Sequence, residues 1–332
     1  MLLSIMLPML LGFAVFMLGM KAMEMALHRL AGPYLGAVLR RSTDTPLRGA
    51  IVGTATTAIL QSSTAVTVIT IGMVSSGLLT FRRSLGIVLG TNIGTCLTTE
   101  LIGLQLHRLG APLLAFSILL WVLTVVLDEG RGRHGGSRPG TFPHSLRYSA
   151  VAAAGFGLLL VGMTMMQKLA PVIEASPLYS WLLDRAGESL WWGLAAGAVL
   201  TALVHSSAAV IAMIMGLAAT GAMPLELAVA VVLGANVGTC ATGLLAACAS
   251  SSAGRAVALA HVVLNLGGAL LFAPFIPELE GLARALSEDP AAQVAHAQTL
   301  FNIACSLLAL PLCYLPIWRE GPPKTVNPVN GS

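Results

Sequence analysis

The sequence predicts an all-α polytopic membrane protein with two inverted-topology repeats. Each repeat is expected to hold three spans and a re-entrant or broken helical hairpin, and one extra span follows at the C-terminus. Hydrophobic residues make up 56% of the 332 residues and charged residues only 10%, against about a quarter charged in a typical soluble domain. The other two observations are an internal repeat and an opposite charge bias in its two matched loops.

The spans follow from the apolar stretches. At least six stretches of roughly 20 residues could cross a hydrocarbon core about 30 Å thick. With the repeat taken into account, we expect seven spans, at residues 2–20, 84–105, 109–127, 149–167, 227–248, 255–275 and 291–318. Two more segments, 49–81 and 193–222, are glycine-rich and polar at their centres, and we expect them to form the hairpins.

The same pattern predicts the domain organisation. Residues 1–127 form the first repeat and residues 149–275 the second, joined by a cytoplasmic linker at 128–148. An external loop and the last span follow at 276–318, and a short cytoplasmic tail at 319–332 ends the chain.

The repeat is visible without any gap. Residues 49–98 align with residues 193–242 at a constant offset of 144, with 18 of 50 positions identical. GIVLGTNIGTCLT matches AVVLGANVGTCAT, and an upstream pair, GFAVFMLGM and GFGLLLVGM, matches with one residue of slippage. The shared residues are mostly glycine, serine, asparagine and threonine, which unrelated apolar helices share less often.

Charge decides the orientation of the two copies. Loop 21–48 carries five basic and two acidic residues, whereas its counterpart 164–192 carries two basic and three acidic residues. Because basic loops stay in the cytoplasm, matched loops of opposite bias indicate opposite sides of the membrane. We therefore expect an inner-membrane protein with its N-terminus outside and its C-terminus inside. The net charge of +4 lies in loops and indicates no nucleic-acid partner.

Interrupted segments in corresponding positions of two halves are typical of a transporter site. Each predicted hairpin carries a pair of serines, Ser62-Ser63 and Ser206-Ser207. Hydroxyls, amides and helix N-termini can donate to an oxyanion, while their oxygens suit a sodium ion. Because the hairpins contain no Asp, Glu, Lys or Arg at their centres, a bare divalent anion would be costly there. A co-transported cation would offset that cost.

Other readings of these residues are structural. Serine and threonine also pack membrane helices, and Asn265 and Asn302 are expected to tie helices together. His261 is expected to snorkel at the end of a span. His205 beside Ser206 lacks an acidic partner nearby in sequence and adjacent residues rarely form a nucleophile–base pair, so we expect no enzyme.

The sequence resembles the type II sodium/phosphate cotransporter family. The resemblance rests on QSS within TAILQSSTAVT, HSS within TALVHSSAAVI, and the two G(T/A)N(I/V)GTC segments, and it extends over roughly residues 5–315. It implies a bacterial member, with the membrane domain only, that moves inorganic phosphate with sodium. It implies no cofactor, with sodium as co-substrate and the lipid bilayer as surroundings. The second motif has His205 where the family usually has glutamine.

The resemblance also implies the site. It implies that the two motifs bind phosphate through Gln61, Ser62, Ser63, His205, Ser206 and Ser207. It implies that sodium binds oxygen-bearing residues within the motifs and C-terminal to them, namely Ser63, Thr64, Thr67, Asn92, Thr95, Asn236 and Thr239. No metal other than the transported sodium is expected.

Three functions remain open at this point. The first is sodium-coupled uptake of inorganic phosphate by alternating access. The second is a carrier for another oxyanion, or one coupled to protons through His205. The third is a non-transporting membrane sensor or scaffold for phosphate. Because Ser63, Thr67 and Thr70 form a helical stripe that the second copy lacks, cation binding is expected to be weighted toward the first hairpin.

Overall fold

A computed structural model describes residues 2–104, 106–132, 144–168 and 170–318 of the chain. Most of the expected linker, residues 133–143, and the expected tail at 319–332 lie outside the described residues. The described part is helical and contains no strand.

The first half contains five α-helices and a short 3-10 turn at Leu106–Leu109 before the fifth. The helices are α1 (Leu2–Ser42), α2 (Pro46–Leu60), α3 (Ser63–Ser75), α4 (Phe81–Gly103) and α5 (Gly110–Gly132).

The second half begins with α6 (His144–Gln167). Two short connecting helices, α7 (Ala170–Glu174) and α8 (Pro177–Glu188), follow it, and further helices come after them. These are α9 (Trp191–Val204), α10 (Ser207–Ala219), α11 (Leu225–Gly238), α12 (Cys240–Cys248), α13 (Ser252–Phe272), α14 (Ile276–Leu286) and α15 (Pro290–Ala309). Short 3-10 turns follow α13 and α15.

The prediction of an all-α membrane protein with seven spans is confirmed at this level. Seven helical stretches of the described chain are long and apolar enough to cross a membrane. They are Leu10–Ser42, Phe81–Gly103, Gly110–Leu127, Ser145–Gln167, Leu225–Cys248, Ser252–Leu286 and Pro290–Tyr314. The two segments expected to form hairpins each contain two shorter helices, α2 with α3 and α9 with α10.

The first helix is longer than expected. The span predicted at 2–20 was expected to end in a loop, but α1 continues without a break to Ser42. Its second part buries Met23 and Ala26, and later Leu35 and Leu39. Tertiary contacts on this buried stripe stabilise the helix through a region whose charges suggested a loop.

Close backbone contact joins α2 to α4 and α9 to α11. A Cβ atom added at Gly94 would lie 2.6 Å from the Cβ of Thr57, and one added at Gly238 would lie 2.6 Å from the Cβ of Thr201. Both pairs are related by the offset of 144. Glycine is therefore required where these helices meet, because a side chain would push the backbones apart.

The chain reverses direction within each helix pair. The Arg83 side chain near the start of α4 donates to the Thr43 carbonyl (2.8 Å) and pairs with Asp44 (2.8 Å), just before α2 begins. In the second half, Gly193 near the start of α9 faces Leu227 near the start of α11. The start of α4 therefore lies beside the start of α2, and the start of α11 lies beside the start of α9.

The leading helices of the two halves, α1 and α6, run antiparallel. Phe16 of α1 faces Gly162 of α6, and Met23 faces Gly155. Since the partner's number falls as the residue number rises, the two helices point in opposite directions.

The glycine contacts generate a prediction about stability. Gly90 of α4 packs against the backbone of Ala50 and Thr54, so Gly90→Ala should lower the free energy of unfolding by about 1–3 kcal/mol. The matched control is Gly72→Ala, because no atom lies within 4 Å of a Cβ added at Gly72. That control should leave stability unchanged or raise it by up to about 1 kcal/mol. Thermal unfolding of the purified variants in detergent measures both, and equal melting temperatures would contradict the packing argument.

Candidate functional site

Two helix breaks form the centre of the site. Gln61 ends α2 with φ 54° and ψ 27°, and His205 ends α9 with φ 59° and ψ 26°. They are the two non-glycine residues with positive φ in the described chain. This left-handed conformation costs a residue with a side chain roughly 1–2 kcal/mol. Strain retained at matched positions of both halves marks candidate functional residues.

The serine after each break caps the next helix. The Ser62 hydroxyl accepts a hydrogen bond from the Ala65 amide (3.4 Å), and the Ser206 hydroxyl accepts one from the Ala209 amide (3.3 Å). The second serine of each pair is then the first residue of α3 or α10. Each motif therefore presents a helix N-terminus, where backbone N–H groups and a partial positive charge favour anions.

One cavity brings both motifs together. It has a volume of about 350 Å³ and is lined by all six residues predicted to bind phosphate, Gln61, Ser62, Ser63, His205, Ser206 and Ser207. The two motifs are 144 residues apart in sequence, and only the folding of the two halves against each other brings them to a shared space.

Two motif side chains have informative partners. The Gln61 amide is held at both ends, because its nitrogen donates to the Ala58 carbonyl (2.5 Å) and its oxygen accepts from the Thr98 hydroxyl (2.6 Å). The Ser206 hydroxyl donates to the sulfur of Met20 (3.6 Å). A thioether is a weak acceptor, so an anionic oxygen would replace it readily.

The residues predicted to bind sodium divide into two groups. Ser63, Thr64, Thr95 and Thr239 line the cavity, so their oxygens are open to a ligand there. The remaining three, Thr67, Asn92 and Asn236, lie away from the cavity lining.

Those three have different surroundings. The Thr67 hydroxyl is buried and has no hydrogen-bond partner among the described residues. The Asn92 amide donates to the Asn265 side chain (2.5 Å), and the Asn236 amide donates to the Val232 carbonyl (2.9 Å). Asparagine amides therefore connect or reinforce helices beside the cavity.

Asn265 and Asn302 tie helices together, as expected. Asn265 donates to the Cys240 sulfur (3.3 Å) and Asn302 donates to the Cys96 sulfur (3.3 Å). Since Cys96 and Cys240 are equivalent in the repeat, α13 and α15 hold equivalent places against the two halves.

Four polar lining residues were missed in the sequence, namely Lys21, Glu24, Thr98 and Thr242. Thr98 and Thr242 are equivalent in the repeat, so the alignment could have identified them. Lys21 and Glu24 form an ion pair (2.7 Å) on α1. The absence of charged side chains from the centres of the hairpins therefore does not extend to the whole cavity lining. The sequence signal was the position of Lys21 directly after the repeated GFAVFMLGM stretch.

The expectation that His261 snorkels is wrong. Its side chain is buried, with 4% exposure, and neither ring nitrogen has a partner among the described residues. It faces Gly243, where an added Cβ atom would lie 3.6 Å from the His261 Nδ1 and 3.7 Å from the Thr67 methyl carbon. The similar stretches HVVLN (261–265) and QTLFN (298–302) align His261 with Gln298 of α15. Gln298 accepts a hydrogen bond from Thr99 of the first half (2.6 Å), and the repeat equivalent of Thr99 is Gly243. The missing hydroxyl explains why His261 lacks a direct partner.

Comparisons with known proteins identify the family of the chain. The family described as Na+/Pi-cotransporter matches residues 15–168 and again residues 158–286, so each match contains one serine motif. No solved structure matches the chain significantly.

Three relatives illustrate the range of similarity. "Uncharacterized protein YqeW" of Bacillus subtilis (strain 168) is 36% identical over 302 residues, which cover 90% of this chain and 92% of the relative. "Putative inorganic phosphate export protein YjbB" of Escherichia coli (strain K12) is 28% identical over 90% of this chain, which spans 52% of that protein. "Sodium-dependent phosphate transport protein 2B" of Homo sapiens is 36% identical over 29% of this chain and 14% of its own length. The chain belongs to the Na+/Pi-cotransporter family.

Proposed function

We propose that the protein is a secondary active transporter that takes up inorganic phosphate with sodium by alternating access. The observation that carries the proposal is the single cavity that both serine motifs line. Membership of the Na+/Pi-cotransporter family supports it.

The cavity has the chemistry to bind phosphate. Ser62, Ser63, Ser206 and Ser207 offer hydroxyl donors, and the first turns of α3 and α10 offer backbone N–H groups. Donors that converge from two helix N-termini suit a tetrahedral oxyanion. His205 takes the place of glutamine in the second motif and can donate from its imidazole.

Sodium requires oxygen ligands, and the same cavity offers them. The hydroxyls of Thr64, Thr95 and Thr239 and the freed carbonyls of the helix breaks are suitable ligands. The buried, unpartnered hydroxyl of Thr67 is a further candidate ligand. Asn92 and Asn236, whose amide nitrogens are already engaged, would contribute through their amide oxygens.

Alternating access needs two halves that exchange roles. We infer that the halves are inverted repeats with re-entrant hairpins. The antiparallel packing of α1 and α6, which carry the matching GFAVFMLGM and GFGLLLVGM stretches, supports this. The return of each helix pair to its starting end supports the re-entrant arrangement. A rocking of one half against the other would then expose the cavity on alternate sides.

The direction of transport depends on the coupling. If sodium is coupled, an inward sodium gradient drives phosphate uptake. Phosphate export is the second candidate, and the likeness to YjbB, whose name describes export, favours it. A proton-coupled or other-oxyanion carrier that uses His205 is the third, and a non-transporting phosphate sensor or scaffold the fourth.

The first test is uptake of radiolabelled phosphate into proteoliposomes. With an inward sodium gradient, we expect accumulation that an equal potassium gradient does not support. Vesicles preloaded with labelled phosphate, with sodium outside only, test export. Uptake that ignores sodium would refute the coupling, and the absence of any phosphate movement would refute the proposed substrate.

The second test addresses the serine motifs. Ser62→Ala or Ser206→Ala should each raise the KM for phosphate roughly tenfold or more, because a hydrogen bond to a charged group contributes about 1.5–3 kcal/mol. The melting temperature should fall slightly in both variants, because each serine caps a helix and loss of an N-cap lowers the free energy of unfolding by about 1 kcal/mol. Ser180→Ala is the control, since Ser180 is exposed on α8 and bonds only its own helix. If all three variants keep the wild-type KM, the serines serve packing alone.

The third test separates strain from function at His205. His205→Gly relieves the left-handed backbone and should raise the stability by about 1 kcal/mol, while transport falls because a cavity side chain is lost. His205→Gln should retain transport. Rates measured from pH 5.5 to 8.5 test proton coupling, because a carrier coupled through His205 loses its pH response in this variant. A stability loss in His205→Gly would contradict the strain argument.

A further inference from the structure

We propose that Lys21 and Glu24 form a switchable ion pair that couples the two substrates. In this arrangement Lys21 breaks its ion pair with Glu24 and contacts phosphate. The carboxylate of Glu24 then binds the cation. This inference rests on the proposed function and assigns coupling to two residues that lie outside both serine motifs.

The pair is built into the cavity wall. Both residues lie on α1 and line the cavity, with the Lys21 ammonium 2.7 Å from a Glu24 oxygen. Their exposures differ, since the Lys21 side chain is 54% exposed and the Glu24 side chain 17% exposed. The lysine can therefore turn into the cavity on its flexible stem, whereas the carboxylate stays in the wall.

The neighbouring residue brings the pair to the second motif. Met20 is buried and contacts the Ser206 hydroxyl through its sulfur (3.6 Å). Lys21 follows it directly, at the same level of α1. Lys21 and Ser206 line the same cavity, so an anion bound at Ser206 shares that space with a lysine ammonium, which is a strong partner for phosphate oxygens.

Charge balance supplies the coupling. Of the residues that line the cavity, Lys21 and Glu24 are the two with a fixed charge, and as a pair they cancel. If Lys21 moves to phosphate, Glu24 is left as a largely buried carboxylate without Lys21 as its partner, and an unpaired buried charge is unfavourable. A sodium ion beside Glu24 removes that penalty. Phosphate and sodium therefore favour each other's binding, and the effect is reciprocal.

The second half has no such pair. The positions equivalent to Lys21 and Glu24, at the offset of 143 that aligns GFAVFMLGM with GFGLLLVGM, are Thr164 and Gln167. The Thr164 hydroxyl bonds the Leu160 carbonyl of its own helix (2.9 Å). A single lysine serving a single shared cavity agrees with one phosphate bound between the halves.

The experiment compares the phosphate KM and the sodium activation curve of variants in proteoliposomes. Lys21→Met should raise the phosphate KM by roughly tenfold or more, and Lys21→Arg, which keeps the charge, should recover part of the affinity. Glu24→Gln should change the phosphate KM by less than about threefold. The same variant should raise the sodium concentration for half-maximal transport by roughly tenfold and reduce the steepness of sodium activation. This split between the two substrates is a readout that a merely structural role would not produce.

The chain offers a matched control. Arg185 and Glu188 on α8 have the same spacing and the same 2.7 Å distance, but they are exposed at the surface and do not line the cavity. Arg185→Met and Glu188→Gln should leave both curves at wild-type values. If they shift the curves as the cavity variants do, the proposal is overturned.

The outcomes separate this inference from the proposed function. If the wild type carries phosphate with sodium but Lys21→Met and Glu24→Gln keep its curves, the ion-pair proposal is wrong and the proposed function stands. If the wild type moves no phosphate, the proposed function itself is wrong. Size-exclusion profiles confirm folding, and Lys21→Gln replaces Lys21→Met, with the same expected result, if the latter aggregates.

Discussion

Inside a hydrocarbon core, a backbone must pair its own N–H and C=O groups, so an unpaired helix end is tolerated only where protein or a cavity surrounds it. In the described part of the chain, two helices end at residues in the left-handed conformation, Gln61 and His205. Each following serine satisfies one amide, and the first residues of α3 and α10 line a common cavity. The polarity of the cavity is therefore a consequence of the two helix breaks, and the side chains around it add to donors that the backbone already supplies.

The breaks can meet only because their helices are held closely. Glycines of α4 and α11 let the backbones of α2 and α9 approach to distances that no side chain would allow. The packing is the same in both halves, down to the contacts of Gly94 with Thr57 and Gly238 with Thr201. Interiors packed in this way switch between discrete arrangements more readily than they deform, which suits a carrier whose two halves rock as bodies.

The charged side chains that line the cavity come from a helix outside the two hairpins. The hairpins themselves carry no acidic or basic side chain at their centres, while α1 places Lys21 and Glu24 against the cavity. An anion in a poorly solvated cavity needs compensation, and a paired lysine can supply it without leaving a net charge in the empty site. The two repeats differ mainly here, in the hydroxyl-rich first hairpin, and at His261. Gln298, which aligns with His261, has a hydrogen-bond partner that His261 lacks among the described residues.

Composition, apolar stretches and the 144-residue repeat were sufficient to predict a helical membrane protein with seven spans and to identify the two serine motifs. Apolar segments are recognised from neighbouring residues, and the motifs are recognised because the sequence repeats them. The positions of the helix breaks also followed, since a polar centre within an apolar segment interrupts the helix. Folding alone decided that α1 runs on to Ser42, because its buried stripe packs against other helices. It also decided that Lys21 and Glu24 face the cavity and that His261 is enclosed. Such placements depend on which faces of distant helices meet, and no spacing within a single segment encodes that.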